Sequence, residues 1–364
     1  MILTTSPSIT QKEIDYVTNA ITNGHGEHWG DYIKKFEESF AEYIGVKHAM
    51  TTSSCTGALH LALVALGIGE GDEVIVPDMS WIATASVVRY VGATPIFVDV
   101  LPDSWCISPN RIEKSITTRT KAIMPVHLYG HPSDMESIRN IALLYNLKVI
   151  EDAAPSIGAT FNGKKTGSLG DVAGFSFQGA KTLSTGEGGM IVTNDGDLFS
   201  VIKHFAEHGR SSSGFDISDI GFKYKISNLQ AAWGCAQLER IDELIEKKRL
   251  TYSWYKDELS NIDGFSINKE SNEIENPVYW MNSIVLNKDF GITRNEVMSK
   301  LKDKDIDTRP FFPPMSSFRM FKNANNPQAT YIGANGINLP SGHNLTRDEV
   351  HYICLCIKNI LGVK

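Results

Sequence analysis

The sequence predicts an α/β fold in which helices cover both faces of a mostly parallel sheet, with a smaller C-terminal α+β domain after it. Three observations carry this. From about residue 50 to 200, short β-branched runs alternate with helical periods, the pattern of strand–helix–strand units. The runs are apolar along their length, as expected of strands buried on both sides. And 364 residues suit two domains at about 100–200 residues each.

The strand runs are DEVIVP (72–77), PIFVDV (95–100), KAIMPVHLYG (121–130) and KVIEDAA (148–154). Helical patterns lie between them, at IATASVVRYVGA (82–93) and DMESIRNIALLYN (134–146). A second pair of runs, GFSFQ (174–178) and GMIVTND (189–195), flanks the loop GAKTLSTGEGG. Residues 231–259 read as one long charged helix leading away. Mixed character follows, with a strand over VYWMNSIVL (278–286), a helix over 293–306 and a last helix over 346–361. The spacing places a boundary near residue 245, giving domains 1–245 and 246–364. No internal repeat or low-complexity linker interrupts the chain.

Composition narrows the function. The net charge is −7 and no Lys/Arg block stands out, which argues against a nucleic-acid or membrane-surface role. The N-terminus lacks a basic region followed by an apolar core, so no secretory signal is expected. No run reaches the roughly 18 apolar residues of a spanning helix. The five cysteines are scattered without metal-ligand spacing, which fits reduced thiols in a cytoplasmic protein and no metal site. Cys354 and Cys356, two apart on a helix, are expected on different sides.

Ligands of parallel sheets bind at the carboxyl ends of the strands, so the residues just after each run matter most. Lys181 sits in a loop between glycine-bearing turns, where backbone can approach a ligand. Asp152 closes a buried strand, where an anion can face a protonated ring nitrogen. Ser54, Cys55 and Thr56 precede an amphipathic helix, whose exposed first amides favour a phosphate. Trp81 follows the strand ending at Pro77 and can cover a flat ring. Ser176 closes GFS, five residues before Lys181. Each member alone has a plainer reading: a solvated loop lysine, a turn-capping Asp, an ordinary Ser N-cap, a core Trp. Together they compose one site for pyridoxal 5'-phosphate, with Lys181 and Asp152 as the catalytic pair.

The strings GDEVIVP, GATPIFVDV, TKAIMPVHLYG, VIEDAAPSIGA, GDVAGFSF, KTLSTGEGGMIVTND, NLQAAWGCAQLERID and INLPSGHNLTRDEV resemble the DegT/DnrJ/EryC1/StrS family of sugar aminotransferases, over nearly the whole chain. The resemblance implies the aspartate-aminotransferase-like fold type I, with a seven-stranded large sheet. It implies a homodimer that moves the amino group of L-glutamate, releasing 2-oxoglutarate, to a keto-sugar nucleotide for surface polysaccharide. Lys181 would be the covalent attachment point and the acid/base. Asp152 would pair with the pyridine nitrogen, Trp81 would stack on the ring, and Ser176 with Ser54, Cys55 and Thr56 would hold the phosphate. Lys223, in GFKYKISN (221–228), would reach the neighbouring subunit's phosphate.

Some positions depart from the family pattern. Cys55 stands where a glycine is common, Pro155 where a polar residue is usual, and Lys223 and Lys225 where Asn and Arg are frequent. The stretch SSSGFDISD (211–219) has no His and, apart from Phe215, none of the aromatic residues expected near a nucleotide, which leaves a small phosphorylated ketone open as acceptor. A regulator on the same fold is a further alternative. A dehydratase of this scaffold would carry His in place of Lys181.

Overall fold

The computed structural model describes residues 1–211, 216–287 and 290–363. The strands of the large sheet are, in chain order, β1 (His48–Thr52), β2 (Glu73–Pro77), β3 (Thr94–Val98), β4 (Thr120–Ile123), β5 (Lys148–Asp152), β6 (Val172–Ser176) and β7 (Gly189–Thr193). Their spatial order is β1-β7-β6-β5-β4-β2-β3. β7 runs antiparallel to both neighbours, while the other pairings are parallel. The sheet is thus mostly parallel and seven-stranded, as expected. Reversing β7 puts its first residue, Gly189, beside the carboxyl ends of the others.

Side chains alternate across the sheet. Val74 and Val76 enter the core shared with Leu59 and Val87, while Ile75 enters the opposite one with Ile112 and Ile138. Full burial of such a side chain contributes roughly 1.5–3 kcal/mol. A further core forms where helix Asp31–Ile44 sets Phe36 and Phe40 against Phe175 and Phe177, with ring centroids 5.0–5.5 Å apart. These are favourable edge-on and tilted separations.

Two helices differ from the sequence reading. The segment after β1 forms helix Cys55–Ala65, which is not amphipathic: Cys55 and Gly57–Leu63 are all buried. It packs between the sheet and helices Ala83–Tyr90 and Gly196–Ala206, so it has no solvent stripe. The long helix expected over 231–259 is two helices, Asn228–Leu238 and Ile241–Leu259. At the break, the Arg240 guanidinium bonds Glu13 at 2.7 Å and Ser8 Oγ at 2.9 Å, while Gln237 donates to the same Glu13 at 2.8 Å.

The small sheet is antiparallel, in the order Phe265–Ile267, Ser283–Leu286, Gly336–Asn338, Arg309–Pro310. Helices Arg294–Lys302 and Arg347–Leu361 cover it through Leu301, Val350, Ile353 and Ile357. The strand expected from residue 278 begins only at Ser283. Upstream, Tyr279 has φ 50° and the Asn282 N–H donates to Ser341 Oγ at 2.8 Å, so the backbone is committed elsewhere. Cys354 and Cys356 both contribute to this core.

Helix Ile241–Leu259 joins the two parts. Ile241, Leu244 and Ile245 lie in the large-domain core, and Tyr255 and Leu259 in the small one. Residue 245 falls within it, and we propose that domains 1–245 and 246–364 share this helix. The carboxyl ends of β2 and β3 supply a second link. Asp78 accepts from Ser316 N and Oγ, both at 2.7 Å, and from Asn326 Nδ2 at 2.8 Å. Asp99 accepts from Ala329 N at 2.8 Å.

Lys248, on the shared helix, is fully buried. Its amine donates to the carbonyls of Trp280 and Ser341, which a neutral amine can still do. Burial pushes it down to about 7 from an ordinary 10.5. Between pH 7 and 10.5 the unfolded chain therefore holds a proton that the folded one lacks, so this group's contribution to stability falls as pH drops through that window. Denaturant unfolding of the native chain and Lys248→Met at several pH values checks this. The variant should gain on the native chain as pH falls from about 10.5 to 7, at up to about 1.4 kcal/mol per unit, and the difference should level off below 7.

Candidate active site

Lys181 stands on the loop between β6 and β7. The loop is closed at its base by Phe177 N–H to the Gly188 carbonyl at 2.9 Å and Thr185 N–H to the Phe177 carbonyl at 2.8 Å. Gly179 N–H donates to the Gly186 carbonyl at 2.8 Å. The Lys181 amine rests 3.6 Å from the ring centroid of Trp280. Burial pushes it down to about 8, against the opposing pull of Asp152 and Cys55. A lysine lowered this far has a substantial neutral fraction near pH 7–8 and can act as nucleophile or base.

Asp152 ends β5 and is buried. Its carboxylate accepts from Thr84 Oγ1 at 2.7 Å and from the Ala154 N–H at 3.2 Å, with the Cys55 thiol at 3.9 Å. All three are neutral donors. Burial pushes the carboxyl above its ordinary value, while these hydrogen bonds and the charge of Lys181 draw it down. Behind it, His127 Nδ1 accepts the Ser133 N–H at 3.0 Å, so Nε2 carries the proton donated to Glu151 at 2.9 Å. Glu151 also accepts three loop amides, from Gly167, Leu169 and Gly170. That buried network fixes the end of β5.

The first turn of helix Cys55–Ala65 lies across the ends of β6 and β7. Gly189 permits it, because a Cβ there would fall 2.5 Å from Ser54 C and 2.6 Å from Cys55 N. Ser54 caps the helix, its hydroxyl accepting from Gly57 N at 3.1 Å. The Cys55 and Thr56 amides, among the four a helix start leaves unpaired, have no protein acceptor among the described residues. Ser176 pairs in register with Gly189, which brings its hydroxyl to the same edge. A buried anion with neutral partners, free helix amides and a depressed lysine amine suit pyridoxal phosphate: cationic ring nitrogen, phosphate and carbonyl respectively.

The model of the DegT/DnrJ/EryC1/StrS aminotransferase family matches residues 7–358. The chain belongs to that family. It is 45% identical to GDP-perosamine synthase of Escherichia coli O157:H7, over 98% of both chains. It is 41% identical to GDP-perosamine synthase of Caulobacter vibrioides, over 98% of this chain and 97% of the other. Among solved structures, the aminotransferase TlmJ of Streptoalloteichus hindustanus superposes with a TM-score of 0.94 at 26% identity, covering 100% of this chain and 99% of that one. Like its family, the protein is an aminotransferase dependent on pyridoxal phosphate. Among the described residues, no helix is long and apolar enough to cross a membrane, and no cluster of metal-ligating groups occurs.

The sequence-derived residues are thus brought together unequally. Ser54, Cys55, Asp152, Ser176 and Lys181 converge on one edge, with Thr56 one step along its helix. Trp81 precedes helix Ala83–Tyr90, whose Thr84 holds Asp152. Trp81 is 65% exposed, and its ring lies 6.0 Å from that of Phe312. Lys223 is exposed and makes no side-chain hydrogen bond or ion pair in this chain among the described residues. Its neighbour Tyr224 accepts the Ser53 N–H, so the segment runs beside the helix start. Of the stretch 211–219, residues 212–215 lie outside the described residues. Sequence reasoning passed over Thr84 and Trp280. The second stood in view in YWMNSI, but a tryptophan inside an apolar run reads as core.

Proposed function

We propose that the protein transfers the amino group of L-glutamate, with release of 2-oxoglutarate, to a keto-sugar nucleotide of the GDP-4-keto-6-deoxymannose type. The product would serve a surface polysaccharide such as O-antigen or capsule. The end-to-end similarity to GDP-perosamine synthases carries this reading. Five unpaired thiols support a reducing, cytoplasmic setting, which cell fractionation checks.

Pyridoxal phosphate supplies a carbonyl that takes up an amino group and a ring that withdraws electrons from the reacting carbon. The chain does the rest. Lys181 Nζ holds the cofactor at rest. Once released, it accepts a proton from the substrate carbon and returns one, a task suited to an amine near neutrality. Asp152 would pair with the ring nitrogen and keep it protonated. Trp81 would stack on the ring. Ser54, Cys55, Thr56 and Ser176 would hold the phosphate through a hydroxyl or a backbone amide.

Lys181→Ala should abolish turnover and the absorbance of the lysine-linked cofactor while leaving the circular dichroism spectrum unchanged. Asp152→Asn should retain cofactor yet slow both half-reactions by orders of magnitude; a near-native rate would reduce Asp152 to a turn residue.

The acceptor is tested by half-reactions. Protein converted with glutamate is mixed with GDP-4-keto-6-deoxymannose or with small phosphorylated ketones, and the return of the starting absorbance is followed. Rapid return with the GDP-sugar alone is expected. Return with the small ketones alone would overturn the nucleotide-sugar reading.

A homodimer with sites at the subunit interface completes the proposal, supported by the uncommitted, exposed Lys223. Sedimentation at low concentration should show a dimer. Mixing inactive Lys181→Ala with inactive Lys223→Glu should restore activity, since one hybrid site would hold both native residues. Full activity of Lys223→Glu alone would remove the cross-subunit contact.

A further inference from the structure

Trp280 is held from four directions beside Lys181. Its indole N–H donates to the Ala180 carbonyl at 2.7 Å, one residue before the lysine. Its ring face lies 3.6 Å from Lys181 Nζ. Its carbonyl accepts from the buried Lys248 amine at 3.3 Å. Its backbone nitrogen presses on Gly130, where a Cβ would come within 2.8 Å. The residue is 6% exposed, while Ala180 and Lys181 are half-buried, so the indole side of these contacts is shielded from water. A tryptophan that only filled space would have no need to bond the lysine's own loop and also turn its π face to the lysine amine.

We propose that Trp280 is a positioning residue for Lys181: its indole N–H fixes the loop that carries the lysine, and its ring face receives the amine whenever that amine is not bonded to the cofactor. This rests on Lys181 being the attachment point. A protonated amine over an indole face is stabilised by the ring quadrupole, most strongly where water is excluded. The other charged or titratable groups acting on the amine are Asp152, from the end of β5, and Cys55, from the helix start. His343 touches the same loop through the Thr182 carbonyl at 3.2 Å, and Lys248 lies behind Trp280. A ring nitrogen paired with Asp152 would give that carboxylate its own cation. The indole face then remains as the partner that keeps the free amine near the reacting carbon.

The test reads the ε-methylene of Lys181 by NMR in full-length protein labelled with carbon-13 lysine, assigned by its loss in Lys181→Ala. Glutamate-treated protein is used, in which the amine is free and the cofactor retained, with cofactor-stripped protein alongside. In the unaltered chain the signal should lie upfield of the other lysines, because the ring current acts on it. Trp280→Leu removes a contact that favours the cation, so the titration midpoint should move down, by about half to one and a half pH units. Trp280→Phe, which keeps a weaker ring face, should move it less. A Lys181 signal among those of the exposed lysines, or variants that titrate like the unaltered chain, would overturn the proposal. If the leucine variant does not fold, the phenylalanine variant and the unaltered spectrum still decide. If glutamate fails to free the amine, the attachment reading falls, and the cofactor-stripped spectrum still decides the Trp280 contact.

Discussion

Asp152 sits at the end of β5 with a hydroxyl, a backbone amide and a thiol around its carboxylate, and none of them carries a positive charge. Burial makes that charge expensive, and the charge of Lys181 acts to offset it. Much of the surrounding structure serves this pair. The His127–Glu151 network anchors the strand end, Thr84 aims the carboxylate, and the closed loop brings the lysine. A ligand with a cationic ring nitrogen would offset the buried charge of Asp152 further.

Much of this was legible because the site is built where strands end. Apolar runs mark strands in the sequence, and Asp152, Ser176 and the Ser54–Thr56 turn follow such runs directly. Trp280 was not legible in the same way. It is 100 residues from the Ala180 carbonyl it bonds, and only the tertiary fold brings them together. Thr84 was hidden for a different reason: a threonine inside a helical period carries no sign of which carboxylate its hydroxyl will meet.

The errors in element shape have the same origin. Helix Cys55–Ala65 was expected to show a polar face, yet packing against three neighbours removes the need for one. The break at Glu239 and Arg240 follows from the contact of Arg240 with Glu13 on the N-terminal helix, an interaction that no local propensity encodes. The strand before Ser283 is cut short because Asn282 bonds Ser341 in the small domain. Local pattern identified the elements, and long-range hydrogen bonds set where they stop.

The antiparallel seventh strand has a mechanical consequence. Because β7 returns beside β6, the loop that bears Lys181 starts and finishes on adjacent strands and is cross-tied inside. Its backbone has little room to travel. Any movement of the amine would fall to the torsions of one aliphatic side chain, a short tether on a fixed post. Lengthening the loop would loosen the post, and shortening the tether would leave the amine out of range.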